Sequence, residues 1–160
     1  MNIWSSFIKK MCRFLLLIAG LTLAFMFLFT LFDVIMRAFG KPIVGDFEII
    51  SFLGAVVFGF SIPYTSLLKG HVSVDFLIVK LSRKSGATME VFTRVLGIAL
   101  FLWMSWNFVT MSIDLIKSNE VTPVFRLPYY PISFGLAFSC IIECFTLALQ
   151  VIDTVGGSHE

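Results

Sequence analysis

The chain has 160 residues, of which 58% are hydrophobic and 14% are charged, and its formal net charge is +2. A typical soluble domain is about 45–50% apolar and about 25% charged, so a water-soluble protein of this composition would expose apolar surface and aggregate. The composition predicts an integral membrane protein. The small net charge, with no basic run, argues against a nucleic-acid-binding protein.

The first predicted element is a membrane-spanning helix over about residues 14–36. Its core, FLLLIAGLTLAFMFLFTLF, has no charged residue, and about 20 apolar residues are enough to cross the hydrocarbon layer. Lys9, Lys10 and Arg13 precede it, as basic residues do in a signal peptide, but the apolar core of a signal peptide is only about 7–15 residues long. We therefore expect a retained anchor.

Charged residues cluster where the first span ends and the second begins. Asp33 and Arg37 are four positions apart, so they should pair on one face of the first helix. The cluster fits a charge-balanced hairpin or a docking surface for a soluble periplasmic partner, and the residues leave both interpretations open. Together with the connection between the third and fourth spans, the candidate docking residues are Arg37, Lys41, Asp46, Lys117, Glu120 and Arg126.

The second span is predicted over about residues 48–68, with Pro63 in its last third, where proline should kink the helix or loosen its hydrogen bonding. From Val72 a ten-residue apolar stretch, VSVDFLIVKL, would be about 15 Å long as a helix and too short to span. We expect a short amphipathic helix over about residues 72–84 on the cytoplasmic surface. His71 and Asp75 should fix the corner before it, because no activated nucleophile accompanies them for catalysis.

The third and fourth spans are predicted over about residues 91–115 and 128–152. Glu143 is the one charged residue of the fourth span, and a lone carboxylate within a span costs about 2.5–3.5 kcal/mol on insertion scales, so it should face protein or water. It fits a proton- or ion-coupling group, or a polar lock to a neighbouring helix with Asn107 of the third span as candidate partner. The lock is favoured, because an ion pathway needs several polar groups.

The distribution of basic residues predicts the orientation. Eight lie on one side of the predicted spans and four on the other, which places both termini in the cytoplasm. The eight are Lys9, Lys10, Arg13, Lys69, Lys80, Arg83, Lys84 and Arg94, and the four are Arg37, Lys41, Lys117 and Arg126.

Nothing in the sequence predicts a catalytic, cofactor or metal site. Both histidines, His71 and His159, lie outside the spans, where they could not ligate a haem iron held between helices. The three cysteines have no metal-ligand spacing, and Cys140 and Cys144 are interpreted as small packing residues. We expect an all-α integral membrane protein of four transmembrane helices and one surface helix, forming a single domain over residues 1–160, which is not an enzyme.

Several short motifs occur in an order typical of one known family. They are Asp33-Val34 with Arg37, then Gly40-Lys41-Pro42-Ile43, then Glu48, and finally the GHVSVD segment that contains His71 and Asp75. In order and spacing, over roughly residues 14 to 150, the chain resembles the small membrane subunit (the Q-type component) of tripartite ATP-independent periplasmic, or TRAP, transporters.

This resemblance implies a bacterial inner-membrane complex for sodium-coupled secondary transport. A large membrane subunit, expected here as a separate chain, would carry an organic acid such as a sialic acid or a C4-dicarboxylate by an elevator-like motion. A soluble periplasmic protein would capture that substrate. The small subunit would brace the large one, add surface for the binding protein and contact lipids. The alternative is a stand-alone, proton-coupled small carrier that uses Glu143.

Overall fold

A computed structural model describes residues 3–68 and 83–155 of the chain. These residues form four α-helices: α1 (Ile3–Ala38), α2 (Asp46–Leu67), α3 (Arg83–Ser118) and α4 (Tyr130–Val155). The predictions for His71 and Asp75, and most of the predicted surface helix over 72–84, lie outside the described residues. Arg83 and Lys84, at the end of that prediction, belong to the first turn of α3.

All four helices can cross a membrane. Their apolar segments are 34, 22, 28 and 23 residues long in chain order, and about 20 residues are needed to span the hydrocarbon layer. In the described ranges the extended structure is limited to an isolated bridge between Val121 and Pro128. The prediction of an all-α membrane protein with four transmembrane helices is confirmed.

The helices pack in an order that differs from their order along the chain. α1 packs against α2, α2 against α4, and α4 against α3, with a smaller contact between α1 and α4. Half of the most apolar window of α4 is buried, compared with 11% or less for the other three helices. The last helix is therefore the interior helix, and its side chains meet all three others.

Both connections, between α1 and α2 and between α3 and α4, lie at one end of the bundle, which we call the loop end. α1 ends where Gly40 adopts a left-handed conformation with φ 73°, and Lys41 N–H donates to Met36 O at 3.0 Å, which is a common helix C-terminus. Asn119, the residue after α3, is also left-handed, with φ 50°. The opposite end, where α1 begins and α4 ends, is called the terminus end.

Pro63 lies inside α2 and is buried. Because proline has no N–H, it leaves the carbonyl of Gly59, four residues earlier, without its helical donor. The buried hydroxyl of Ser139 on α4 donates to that oxygen at 2.5 Å. A freed backbone carbonyl in a membrane helix is thus satisfied by a neighbouring helix, and the same contact joins α2 to α4.

Candidate functional site

A charged cluster joins the end of α1 to the start of α2 at the loop end. Asp33 is 3% exposed; its Oδ2 accepts a hydrogen bond from Arg37 Nη2 at 2.7 Å and its Oδ1 accepts one from Ile43 N–H at 3.1 Å. Arg37 also donates to Asp46 Oδ2 at 3.1 Å. The predicted Asp33–Arg37 pair is confirmed, and the Arg37 guanidinium, between two carboxylates, joins α1 to α2.

A second contact at the loop end, the Glu48 clasp, holds the two connections together. Both carboxylate oxygens of Glu48 accept backbone hydrogen bonds, from Val124 N–H at 2.8 Å and from Phe125 N–H at 3.0 Å. Gly45, with φ 87°, lies against the same segment, and a Cβ added there would come within 2.7 Å of the Phe125 ring. Glu48 therefore fixes the α3–α4 connection on the first turn of α2.

The six candidate docking residues all lie at or next to the loop end, and they differ in their contacts. Arg37 and Asp46 belong to the charged cluster, although the Arg37 side chain is still 60% exposed. Lys117 pairs with Asp114 at 3.8 Å and both side chains are largely exposed. The remaining three, Lys41, Glu120 and Arg126, are exposed.

Inside the bundle, α4 carries a polar stripe, which consists of Ser139, Glu143, Thr146 and Gln150. Spacings of four, three and four residues place these side chains on one helix face. Ser139, Glu143 and Gln150 contact α2 at Gly59 O, Ser66 Oγ and Ser66 O. Thr146 Oγ1 lies 3.4 Å from Cys12 Sγ on α1. The stripe is thus the seam along which the interior helix binds the α1–α2 pair.

Glu143 is the charged member of this polar stripe and is fully buried, with 0% exposure. Ser66 Oγ donates to its Oε1, while Oε2 is a buried atom without a hydrogen-bond partner among the described residues. The expectation that Glu143 faces protein is confirmed. The suggested partner is wrong, because Asn107 is exposed on α3 and donates to Trp103 O of its own helix at 2.9 Å.

The neighbours of Glu143 place it towards the terminus end. Ser66 lies in the last turn of α2, and Thr146, one turn further along α4, contacts Cys12, which is next to Arg13 in α1. Glu143 is therefore about a turn from the level where basic residues begin. A carboxylate at that depth is less costly than one at mid-membrane.

In the described parts of the chain, the cysteines and the other acidic residues do not form a metal-binding group. Cys12, Cys140 and Cys144 are buried free thiols, and no group of three His, Cys, Asp or Glu side chains there could hold a metal ion. The side chains at the two ends of the bundle join the helices to one another, and those at the loop end also expose charge.

Two features of the site were not predicted from the sequence. The Glu48 clasp joins Glu48 to Val124 and Phe125, which follow it by 76 and 77 positions in the chain. No local spacing identifies such partners. The polar stripe had a detectable signal, because Ser139, Glu143, Thr146 and Gln150 follow helical spacing in an otherwise apolar segment. A search for that spacing would have placed Glu143 at a helix interface.

The comparison with protein families matches most of the chain. The family described as "Tripartite ATP-independent periplasmic transporters, DctQ component" matches residues 26–157. The chain belongs to the DctQ family. The match includes the charged cluster, the Glu48 clasp and the polar stripe. No curated protein and no solved structure matches the chain.

Membership of the DctQ family makes the chain a small membrane subunit of a TRAP transporter. The resemblance expected from the sequence is thereby confirmed. The family consists of transporter subunits and not of enzymes, and a component of a tripartite system works with other subunits. Together with the four apolar helices, this identifies a multi-pass membrane protein that takes part in transport.

Proposed function

We propose that this DctQ subunit is an accessory scaffold of a sodium-coupled importer of an organic acid, of the sialic acid or C4-dicarboxylate type. It braces a large, elevator-type membrane subunit and helps to dock the periplasmic substrate-binding protein. The complex lies in a bacterial inner membrane, with the terminus end cytoplasmic and the loop end periplasmic. The eight-to-four distribution of basic residues supports this orientation.

One observation carries the scaffold role: with the exception of Glu143 Oε2, the buried polar side-chain atoms of the described residues are hydrogen-bonded within the bundle. Between α2, α3 and α4 lies a pocket of about 230 Å³, and it is lined almost entirely by apolar side chains such as Phe58, Ile62, Phe101 and Leu136. Ser139 and Glu143 also border it. The Ser139 hydroxyl is bound to Gly59 O, and Glu143 Oε1 accepts a hydrogen bond from Ser66, so Glu143 Oε2 is the one polar atom of this pair without a partner in the described residues. A hydrophilic solute needs polar partners along its path, so the substrate should pass through another subunit.

The docking role is supported by the exposed charge at the loop end. Lys41, Glu120 and Arg126 are exposed there, beside an Arg37 side chain that is 60% exposed. The Glu48 clasp fixes the connection that carries Glu120 and Arg126. A rigid surface with both signs of charge suits a transient contact with a soluble partner.

A stand-alone, proton-coupled carrier is the second candidate function, because Glu143 Oε2 is buried without a partner among the described residues. In such a carrier, Glu143 would bind and release the transported proton. The two functions differ in what the chain does by itself and in what Glu143→Gln does. An amide oxygen at that position can still accept the hydrogen bond from Ser66, whereas the amide cannot titrate.

Reconstitution in liposomes tests the proposal. Uptake of a labelled sialic acid or C4-dicarboxylate is measured, with and without a sodium gradient, for this subunit alone, for the large subunit with the binding protein, and for all three together. We expect sodium-driven uptake only with all three components. Glu143→Gln should retain most of that uptake. Uptake by this chain alone, abolished by Glu143→Gln, would establish the carrier function instead.

A further inference from the structure

The outer faces of α1 and α3 differ in chemistry within the membrane-spanning part of the bundle. On α1, every exposed large side chain from Phe14 to Phe32 is Leu or Phe. Thr30 is also exposed there, but its hydroxyl donates to Met26 O of the same helix at 2.8 Å. Apart from this hydroxyl, which can still accept a hydrogen bond, the face offers only hydrocarbon to its surroundings and suits lipid chains.

The exposed face of α3 carries polar groups instead. Trp103, Trp106, Asn107 and Thr110, which we call the α3 stripe, are spaced three, one and three residues apart, so they share one helix face. The two indoles are 71% and 74% exposed, and Asn107 and Thr110 are exposed as well. Tryptophan normally lies at the membrane–water interface, so two exposed indoles within a span need a different explanation.

The α3 stripe lies near the middle of its span. The uncharged part of α3 runs from residue 95 to residue 113, between Arg94 and Asp114, and its midpoint is residue 104. At 1.5 Å per residue, Trp103 lies about 1.5 Å and Asn107 about 4.5 Å from that midpoint along the helix axis. Water is absent at that depth.

Several hydrogen-bonding groups of the α3 stripe have no partner within the described residues. Asn107 donates one N–H to Trp103 O at 2.9 Å, which leaves its carbonyl oxygen and second N–H available. Thr110 donates to Trp106 O at 2.9 Å and can still accept a hydrogen bond. Both indole N–H groups are unbonded in this part of the chain. Polar groups of this kind in lipid join transmembrane helices to one another.

We propose that the α3 stripe is the contact surface for a transmembrane helix of the large subunit of the transporter. This inference rests on the proposed scaffold function. The partner helix should present carbonyl or hydroxyl oxygens to the two indole N–H groups and a donor to the Asn107 carbonyl oxygen. It should also carry small residues opposite Trp103 and Trp106, because these indoles project from the bundle. The leucine and phenylalanine face of α1 then remains in contact with lipid.

Site-specific photo-crosslinking in the assembled complex tests this inference. A benzophenone amino acid replaces Trp106 on α3 or, as the control, Phe25 on α1, which is 55% exposed. Each of these two positions lies two residues beyond the midpoint of the uncharged part of its helix, so the probes sit at equal depth. We expect the probe at position 106 to crosslink to the large subunit and the probe at position 25 to crosslink to lipid only.

A quantitative measurement supports the crosslinking. The combined variant Trp103→Leu, Trp106→Leu and Asn107→Leu keeps α3 apolar, and it should weaken binding of the large subunit about tenfold, as expected for the loss of a few modest interhelical hydrogen bonds. Phe25→Leu should leave binding unchanged. Because a crosslinking probe replaces a single residue, it remains informative if the triple variant does not fold.

The outcomes separate this inference from the proposed function. If the unmodified chain binds the large subunit but the position 106 probe crosslinks only to lipid or to a second copy of this chain, the assignment of the α3 stripe is wrong and the scaffold function stands. If the position 25 probe captures the large subunit instead, α1 is the contact surface. If the unmodified chain does not bind the large subunit at all, both the inference and the scaffold function fail.

Discussion

The close approach of α2 and α4 at Gly59 predicts the effect of a single added methyl group. A Cβ on Gly59 would lie 2.1 Å from Leu136 Cδ2 and 3.6 Å from Leu136 Cγ. Gly54, on the same helix, has nothing within 4 Å of the corresponding position. Gly59→Ala and Gly54→Ala therefore make the same change in α2, but only the first creates a clash with α4.

The size of the effect follows from these distances. Ordinary contact begins at 3.4 Å, so Leu136 Cδ2 must move by at least 1.3 Å (3.4 minus 2.1), which its side chain can do by leaving its preferred rotamer. Such overpacking costs about 1–2 kcal/mol. Replacing glycine by alanine in a helix gains about 0.8–1.0 kcal/mol. We expect Gly54→Ala to stabilise the protein by about 1 kcal/mol and Gly59→Ala to be neutral or slightly destabilising.

Thermal unfolding in detergent measures this difference. For a chain of this size, 1 kcal/mol corresponds to about 2–4 °C in Tm, so the two variants should differ by about 2–8 °C. Leu136→Ala removes the clashing atom, and in that background Gly59→Ala should raise Tm as Gly54→Ala does. If Gly59→Ala alone raises Tm as much as Gly54→Ala, α2 and α4 do not approach each other this closely.

Two further predictions concern the loop end. Glu48→Ala removes both acceptors of the Glu48 clasp, so hydrogen exchange of the α3–α4 connection should accelerate, whereas the control Glu120→Ala, which changes an exposed carboxylate in that connection, should not alter it. Asp33→Asn keeps an oxygen for the backbone contact at Ile43 but weakens the ion pair with Arg37. It should accelerate exchange in the α1–α2 connection moderately, and Asp33→Ala should do so more strongly.

Mass spectrometry of deuterium uptake by peptides from each connection separates these effects. Equal uptake in Glu48→Ala and in the unmodified protein would show that the clasp does not hold the connection in solution. For Asp33, equal effects of the asparagine and alanine variants would show that the backbone contact contributes nothing beyond the ion pair.

The fold was predictable from the sequence because each span can be recognised from its own local sequence. An uncharged run such as Phe14 to Phe32 is long enough to cross the hydrocarbon layer, and such a segment must be helical. The packing order was not predictable in this way. α4 becomes the interior helix because Ser139 contacts Gly59 and Glu143 contacts Ser66, which precede them by 80 and 77 positions in the chain. Composition does not encode contacts between residues so far apart in sequence.

The candidate site was predictable where its contacts are local. The Asp33–Arg37 pair follows from a spacing of four residues on one helix. The predicted partner of Glu143, Asn107, was wrong. It was chosen because it lies at a similar depth in its span, but it faces outward from α3. The partner is instead Ser66, in the last turn of α2. A position along a helix fixes the level of a side chain in the membrane but not the neighbour that it faces.

The place of α4 in the bundle has a consequence for how the protein is made. Helices enter the membrane in the order of synthesis, so α1 and α2 can form their hairpin early, whereas α3 packs chiefly against α4 and must wait for the final segment to emerge. A chain cut short by a nonsense codon before Tyr130 would leave α3 without its principal neighbour. We expect membrane proteases to remove such an orphan helix, so that only complete subunits accumulate.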